Sequence, residues 1–529
     1  MLGGGVNLGR RRSLRGLSLF IGRGPPSLPA CRRHHPAGGR RSSKYRAAPE
    51  VHGEHMSAPD INNILKANEY SQVLPRSPAS HGALSFHSNT LASNQPGEDC
   101  RSSATCLWEG GGVLFGVFDG HGGPACARAV SRRLFYYIAV ATLPLATLAE
   151  LERAVDEGRA VPPLLEWLKH PRDHRGPNGG RVAFQSLRNY WQERLDGNGD
   201  DGDDDQQVNA AETLELFHFT TAKVNKETTA GYVVRWKTLF VALTTTCPWK
   251  LRGRSPAEES NGPSPLRVAL SGCTACVAHV QDGILHVANL GDSRAVLGVQ
   301  EADGRWTAVG LTNDHTADNP DELQRVLGAH PPSERRTAVR HHRLLGLLLP
   351  FRAFGDVRFK WRPETLARLY ETRPDLREGA RALPPPPHYL TPPYLSAEPE
   401  VTRRRILPSD KFVVLASDGL WELMHRHTAI QRLAEHLKDL REQKPIITSA
   451  GMTLADLRRL LLERKGRVRS DPEDQNSATH LLRHALGDDG YGGVATSRLS
   501  KMLSLPPEVA RRYRDDITIT VIHLNEPHL

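Results

Sequence analysis

Short apolar runs that stop abruptly at Asp-Gly or Gly-Asp turns punctuate this chain. Residues 113–118 form such a run, short enough for a buried strand, and end at Asp119-Gly120-His121-Gly122-Gly123. Pro124 then predicts a helix start, and Ala127, Val130, Leu134 and Ile138 recur at spacings of three and four to give one buried face. Residues 274–280 and 284–289, joined through Gln281-Asp282-Gly283, predict a hairpin that ends in Gly291-Asp292-Ser293-Arg294, with 295–299 continuing it. A further run over 411–416 stops at Asp418-Gly419-Leu420-Trp421-Glu422, and 517–524 predict a last strand entered from Arg514-Asp515-Asp516. The proline-rich stretch 382–399 is expected to be irregular or extended. No internal repeat is visible.

Charge changes the picture at one end only. The chain of 529 residues carries 69 Lys and Arg against 59 Asp and Glu, a net +10. Its first 49 residues hold ten Arg and Lys44 with no acid, so the remainder has 69 − 11 = 58 basic against 59 acidic residues. A neutral body argues against a nucleic-acid partner, whose phosphates demand clustered cations. The Arg-rich, acid-free head has the composition of a mitochondrial transit peptide, with Leu14, Leu17 and Ile21 on one helical stripe and Arg12 and Arg15 off it. A matrix location follows as an expectation. No apolar stretch approaches the length of a membrane-spanning helix.

The seven cysteines are scattered and odd in number, which suits reduced thiols. Cys273 and Cys276 form a lone C-x-x-C without further ligands and read as small core residues. The acidic loop 196–205 fails the calcium-loop template, because Asp201 stands where Gly is needed and Gln207 where a bidentate Glu is needed.

Three carboxylates remain, Asp119, Asp418 and Asp515, each at the end of a predicted buried strand. Strand ends at one edge of a layered sheet converge, and carboxylates gathered in a partly buried cleft stay ionised only beside cations. All-oxygen ligands select Mg²⁺ or Mn²⁺, and a pair of such ions can activate water against a phosphoryl group.

The ordered segments FGVFDGHGG (115–123), ANLGDSRAVLG (288–298), FRAFGDV (351–357), ASDGLWE (416–422) and RDDITIT (514–520) resemble the motif series of type 2C metal-dependent protein phosphatases. RLFYYIAV (133–140), RLLGLLLPFRAFGDVRFKW (343–361), TPPYLSAEPEVT (391–402), EDQNSATHLLRHALG (473–487) and KMLSLPPEVARRYRDDITIT (501–520) resemble the pyruvate dehydrogenase phosphatase branch of that family. The resemblance implies an α+β fold of two packed, mainly antiparallel β-sheets flanked by α-helices on both faces. It spans 97–525 as a catalytic domain, after a lead-in over 50–96, with a variable segment at 196–268 and an insertion at 330–400.

It further implies two Mg²⁺ or Mn²⁺ ions per active site. Asp119 would bridge them with help from the Gly120 carbonyl, Asp418 and Asp515 would hold the second, and Glu98 would act through a water. Asp292 and Glu422 match positions tied to a third ion, and His121 would protonate the departing serine oxygen. Asn94 stands where many members carry a phosphate-binding Arg, and supplies a hydrogen bond without charge. The implied substrate is phosphorylated pyruvate dehydrogenase. The implied partners are the lipoyl domain of the acetyltransferase core and a regulatory subunit. Residues 330–400, with the leucines of 344–349 either exposed or filling a core, are the candidate docking insertion. Residues 222–267 do not resemble the family's expected helix and connector, which leaves a genuine insertion and an altered splice product both open.

Three other readings compete. Cys126 and Arg132 match the C-x₅-R of cysteine-dependent phosphatases, but the seven residues lie on a predicted helix without glycine, where no phosphate-wrapping loop can form. A catalytically impaired scaffold would not need the complete set of carboxylates. A metal-dependent nuclease conflicts with the neutral body.

Overall fold

The structure is a computed structural model that describes residues 56–75, 82–108, 110–170, 187–188, 191–192, 195, 265–373, 376, 384–443, 452–465 and 474–525. The Arg-rich head, the acidic loop and residues 222–264 lie outside the described residues.

Fifteen strands are described: β1 (Tyr70–Val73), β2 (Ser85–Leu91), β3 (Cys100–Cys106), β4 (Val113–His121), β5 (Leu165–Trp167), β6 (Gly272–Gln281), β7 (Ile284–Leu290), β8 (Arg294–Gln300), β9 (Trp306–Gly310), β10 (Val339–Arg340), β11 (Arg343–Leu344), β12 (Phe354–Gly355), β13 (Glu400–Arg405), β14 (Asp410–Ala416) and β15 (Ile517–His523). One sheet has the order β1-β2-β15-β14-β8-β9 and the other β13-β7-β6-β4-β3-β5, with β12 added to β6; β10 and β11 form a separate ribbon. All of these pairings are antiparallel. The α+β sandwich expected from the motifs is the observed fold.

The central strands are apolar throughout because both of their faces are buried. In β4, Val113, Phe115 and Val117 meet Val413, Leu415 and Ile522 between the sheets, while Leu114 and Phe118 face the helix Ala125–Thr142 through Leu134, Phe135 and Ile138. In β14, Phe412, Val414 and Ala416 turn outward instead, against Ile430, Leu433, Leu481 and Leu482 of helices Arg426–Gln443 and Ser477–Gly487. The same two-residue period separates the C-x-x-C pair. Cys273 lies in the outer core and Cys276 between the sheets, so the two thiols cannot share a ligand.

The predicted hairpin is β6–β7, with Asp282 and Gly283 both at positive φ (50° and 70°) in its two-residue turn. Residues 295–299 form β8, which leaves the hairpin after Asp292 and crosses to the other sheet to pair with β14. The leucine run is mainly core: Leu344 and Leu345 are buried with Phe351 and Tyr394, and Leu347 alone of the run is well exposed. Among the described residues no single helix is long and apolar enough to cross a membrane.

Candidate active site

Antiparallel registers bring the acidic turns to one rim. Asp119 pairs with Thr274 at the start of β6, and Ala275 pairs with Leu290 at the end of β7, so Asp292 follows directly beside them. Thr274 Oγ1 lies 3.1 Å from Ser293 Oγ. Ala416 pairs with both Arg294 and Ile519, which brings Asp418, just past β14, beside Asp515 and Asp516, just before β15. Two glycines mark the closest approaches. A Cβ on Gly120 would meet the Glu98 carbonyl at 2.4 Å, and one on Gly419 would meet the Asp516 carbonyl at 2.0 Å, so only glycine fits either position.

Asp516, for which the sequence reading had no role, organises the loop before β3. Its Oδ1 accepts from the Ser93 and Asn94 amides (2.5 and 2.8 Å) and its Oδ2 from the Glu98 and Asp99 amides (2.7 and 3.3 Å). Ser417 Oγ donates to Asp99 Oδ2 at 2.8 Å, and Gly123 N donates to Glu98 Oε1 at 2.6 Å. His121, at the end of β4, has Nε2 2.5 Å from Asp356 Oδ2, with the pair packed against the bare backbone of Gly272. The FRAFGDV motif signalled Asp356 in the sequence, but a motif does not show which side chain its aspartate meets.

The electrostatics are those of crowded acids. Burial raises the Asp99 carboxyl well above the usual range, and the Asp516 and Asp418 carboxylates raise it further. Glu98 is raised by burial and by Asp516, against the Gly123 hydrogen bond. Arg511 is ion-paired with Asp515, and Arg294 makes a fork with Asp314 (2.6 Å twice) while sensing Asp292 and Asp418.

Among the described residues no three His, Cys, Asp or Glu side chains stand at ligand spacing around one point. The donor set nonetheless suits a hard cation: the residues gathered at the rim offer carboxylate and carbonyl oxygens, and their mutual repulsion is what such an ion relieves. Asn94 adds a buried Nδ2 that makes no hydrogen bond among the described residues.

Residues 254–456 match the family described as Protein phosphatase 2C. The chain is 48% identical over 491 residues to the mitochondrial pyruvate dehydrogenase (acetyl-transferring) phosphatase 1 of Rattus norvegicus, covering 91% of this chain and 85% of that one. Against the Homo sapiens phosphatase 1 the identity is 48% over 487 residues, with the same coverage. The Homo sapiens phosphatase 2 is 41% identical over 473 residues, covering 89% of this chain and 84% of its own.

Proposed function

The chain belongs to the protein phosphatase 2C family, and from that premise we propose that it removes phosphate from phosphoserine of pyruvate dehydrogenase in the mitochondrial matrix, restoring that enzyme's activity. The observation that carries the reading is 48% identity across 91% of the chain to a mitochondrial phosphatase of that substrate. The acid-free basic head agrees with the location.

The family is metal-dependent. In our reading Asp119, the Gly120 carbonyl, Asp418 and Asp515 hold two Mg²⁺ or Mn²⁺ ions, Glu98 contributes through a water, and Asp292 and Glu422 serve a third, weaker position. When bound, such ions neutralise phosphoryl charge and make water more acidic. The chain's own groups do the rest. Asp516 fixes the loop that carries Asn94, Glu98 and Asp99, which supports an amide hydrogen bond from Asn94 to phosphate. Asp356 holds His121 by Nε2, leaving Nδ1 to deliver the proton that the departing serine oxygen needs.

Docking on the lipoyl domain and association with a regulatory subunit belong to the same proposal. Among the described residues of 330–400 the exposed Leu347 and Leu390 (41% and 65%) are the apolar side chains such a partner would meet, since Leu344 and Leu345 are spent on the core. The deciding experiment follows Mg²⁺-dependent phosphate release from phosphorylated pyruvate dehydrogenase. Release from a phosphoserine peptide but not from that protein would refute the substrate, and release from neither would refute the enzyme.

A further inference from the structure

We propose that the cavity between strands β1 and β2 of one sheet and strands β3 and β5 of the other is a binding site for a small phosphate-bearing molecule, distinct from the catalytic rim. The cavity has a volume of about 380 Å³, within the usual range for small-molecule sites, and four cationic side chains line it: Arg101, Arg128, Arg132 and Lys169. Among the described residues Asp99 is the only carboxylate in its lining. Arg101 is committed to the Asn68 carbonyl at 2.7 Å. Arg128, Arg132 and Lys169 are half-buried and make no side-chain hydrogen bond or ion pair among the described residues.

Several other half-buried or buried arginines among the described residues have an acid partner: Arg294, Arg352, Arg404 and Arg483 are each forked onto one. Three cations that converge on one cavity repel one another, and a multiply charged anion relieves that repulsion. Ser88 and Thr90 line the same space, and their hydroxyls can donate to the oxygens of a phosphate. Tyr70 and Trp167 add two aromatic walls, so the room exceeds what a bare anion fills. An organic phosphate, with its anion on the cations and its body against the rings, matches this lining.

The site lies behind the catalytic loop, because Gly97 and Asp99 line it and Glu98 stands between them. The inference does not depend on the phosphatase reading, and its test removes the catalytic site from play. Calorimetric titration of the full chain with inorganic pyrophosphate and with ADP is run in EDTA, where no metal is present to hold phosphate at the rim. Saturable binding of either ligand supports the site, and the tighter of the two tells an inorganic from an organic source.

Arg132→Gln combined with Lys169→Gln should weaken that binding by at least ~10-fold, from the worth of two charge-assisted contacts. Arg153→Gln, in an exposed pair with Glu150 elsewhere, should leave it unchanged. If the double variant does not fold, Lys169→Gln alone should still weaken binding by ~3-fold or more. No binding to the wild type, or undiminished binding to a folded variant, overturns the proposal. So does a phosphoserine peptide that displaces pyrophosphate in EDTA, since the cavity would then serve a polypeptide.

Discussion

Asp356 Oδ2 lies 2.5 Å from His121 Nε2, tying a residue in left-handed backbone conformation (φ 50°) to the last residue of β4. Burial alone would lower the imidazole pKa, but the Asp356 carboxylate reverses that, with Asp292 and Glu98 adding to it, and the net direction is upward. The contact also fixes which ring nitrogen stays available.

Asp356→Asn should therefore impair His121 without removing it. On a phosphoserine peptide, kcat should fall ~10–100-fold, while an aryl phosphate, whose leaving group needs no proton, should be slowed much less. His121→Ala should show the same split more strongly. Equal slowing of both substrates in either variant would remove the proton-donor role.

Asp119→Asn and Asp418→Asn delete charge at nearly constant volume. Each should abolish detectable turnover, a larger loss than the ~10–100-fold expected for partners outside a metal's own ligands. The urea midpoint should hold or rise, because repulsion at the rim is relieved. Magnesium titration by calorimetry should show weakened binding, and normal activity in either variant would contradict a metal site on these carboxylates.

The strands that carry Asp119 or flank Asp418 and Asp515 were legible because their two-sided burial writes unbroken apolar runs, each bounded by an acidic turn. Two things were not. Residues 295–299 look like a continuation of the hairpin, since nothing local to Gly291-Asp292 says that the chain changes sheets there. The roles of Asp516 and Asp356 were hidden because both act on groups far away in sequence, Asp516 on the amides of 93–99 and Asp356 on His121. An acid with a remote partner has the same local pattern as any turn aspartate.

Asp516 accepts from the amides of Ser93, Asn94, Glu98 and Asp99 and touches both functional halves of the rim. Asp516→Ala strands those donors in a largely buried setting and should cost about 2–4 kcal/mol of stability along with activity. That pairing of losses separates it from Asp119→Asn, which should cost activity alone. Urea unfolding with an unchanged midpoint would show that the loop is held by something else.

Cys126 lies in the first turn of the helix Ala125–Thr142, 1% exposed, and its amide donates to Ser271 Oγ at 3.0 Å. A helical, buried thiol has no loop of amides to bind phosphate against it. Cys126→Ala should keep kcat within about twofold and cost ~1 kcal/mol for the small cavity. Complete loss of activity in a folded variant would restore the thiol mechanism.

A cluster of histidines lies outside the sheet of β14 and β15, and it should make stability fall in acid. His87 and His523 meet edge to face at 4.8 Å, His436 stacks on His480 at 4.2 Å, and the Ser477 amide donates to His87 Nδ1 at 3.0 Å, which requires a neutral ring. Burial depresses all of them, His87 and His436 to about 4 and His523 to about 3, with neighbouring histidines adding to the effect on His436 and His523 and only Asp474 opposing it at His436. Folded rings thus refuse protons that unfolded rings accept below the ordinary imidazole value of 6.5. Stability is full above that pH and falls as pH drops below it, by roughly 1 kcal/mol per pH unit for each ring. Between pH 7.5 and 5.5, the wild type should lose more unfolding free energy than His436→Gln by about 1 kcal/mol, measured by urea denaturation. Identical losses in the two proteins would mean that His436 takes up a proton in the fold as readily as in the unfolded chain.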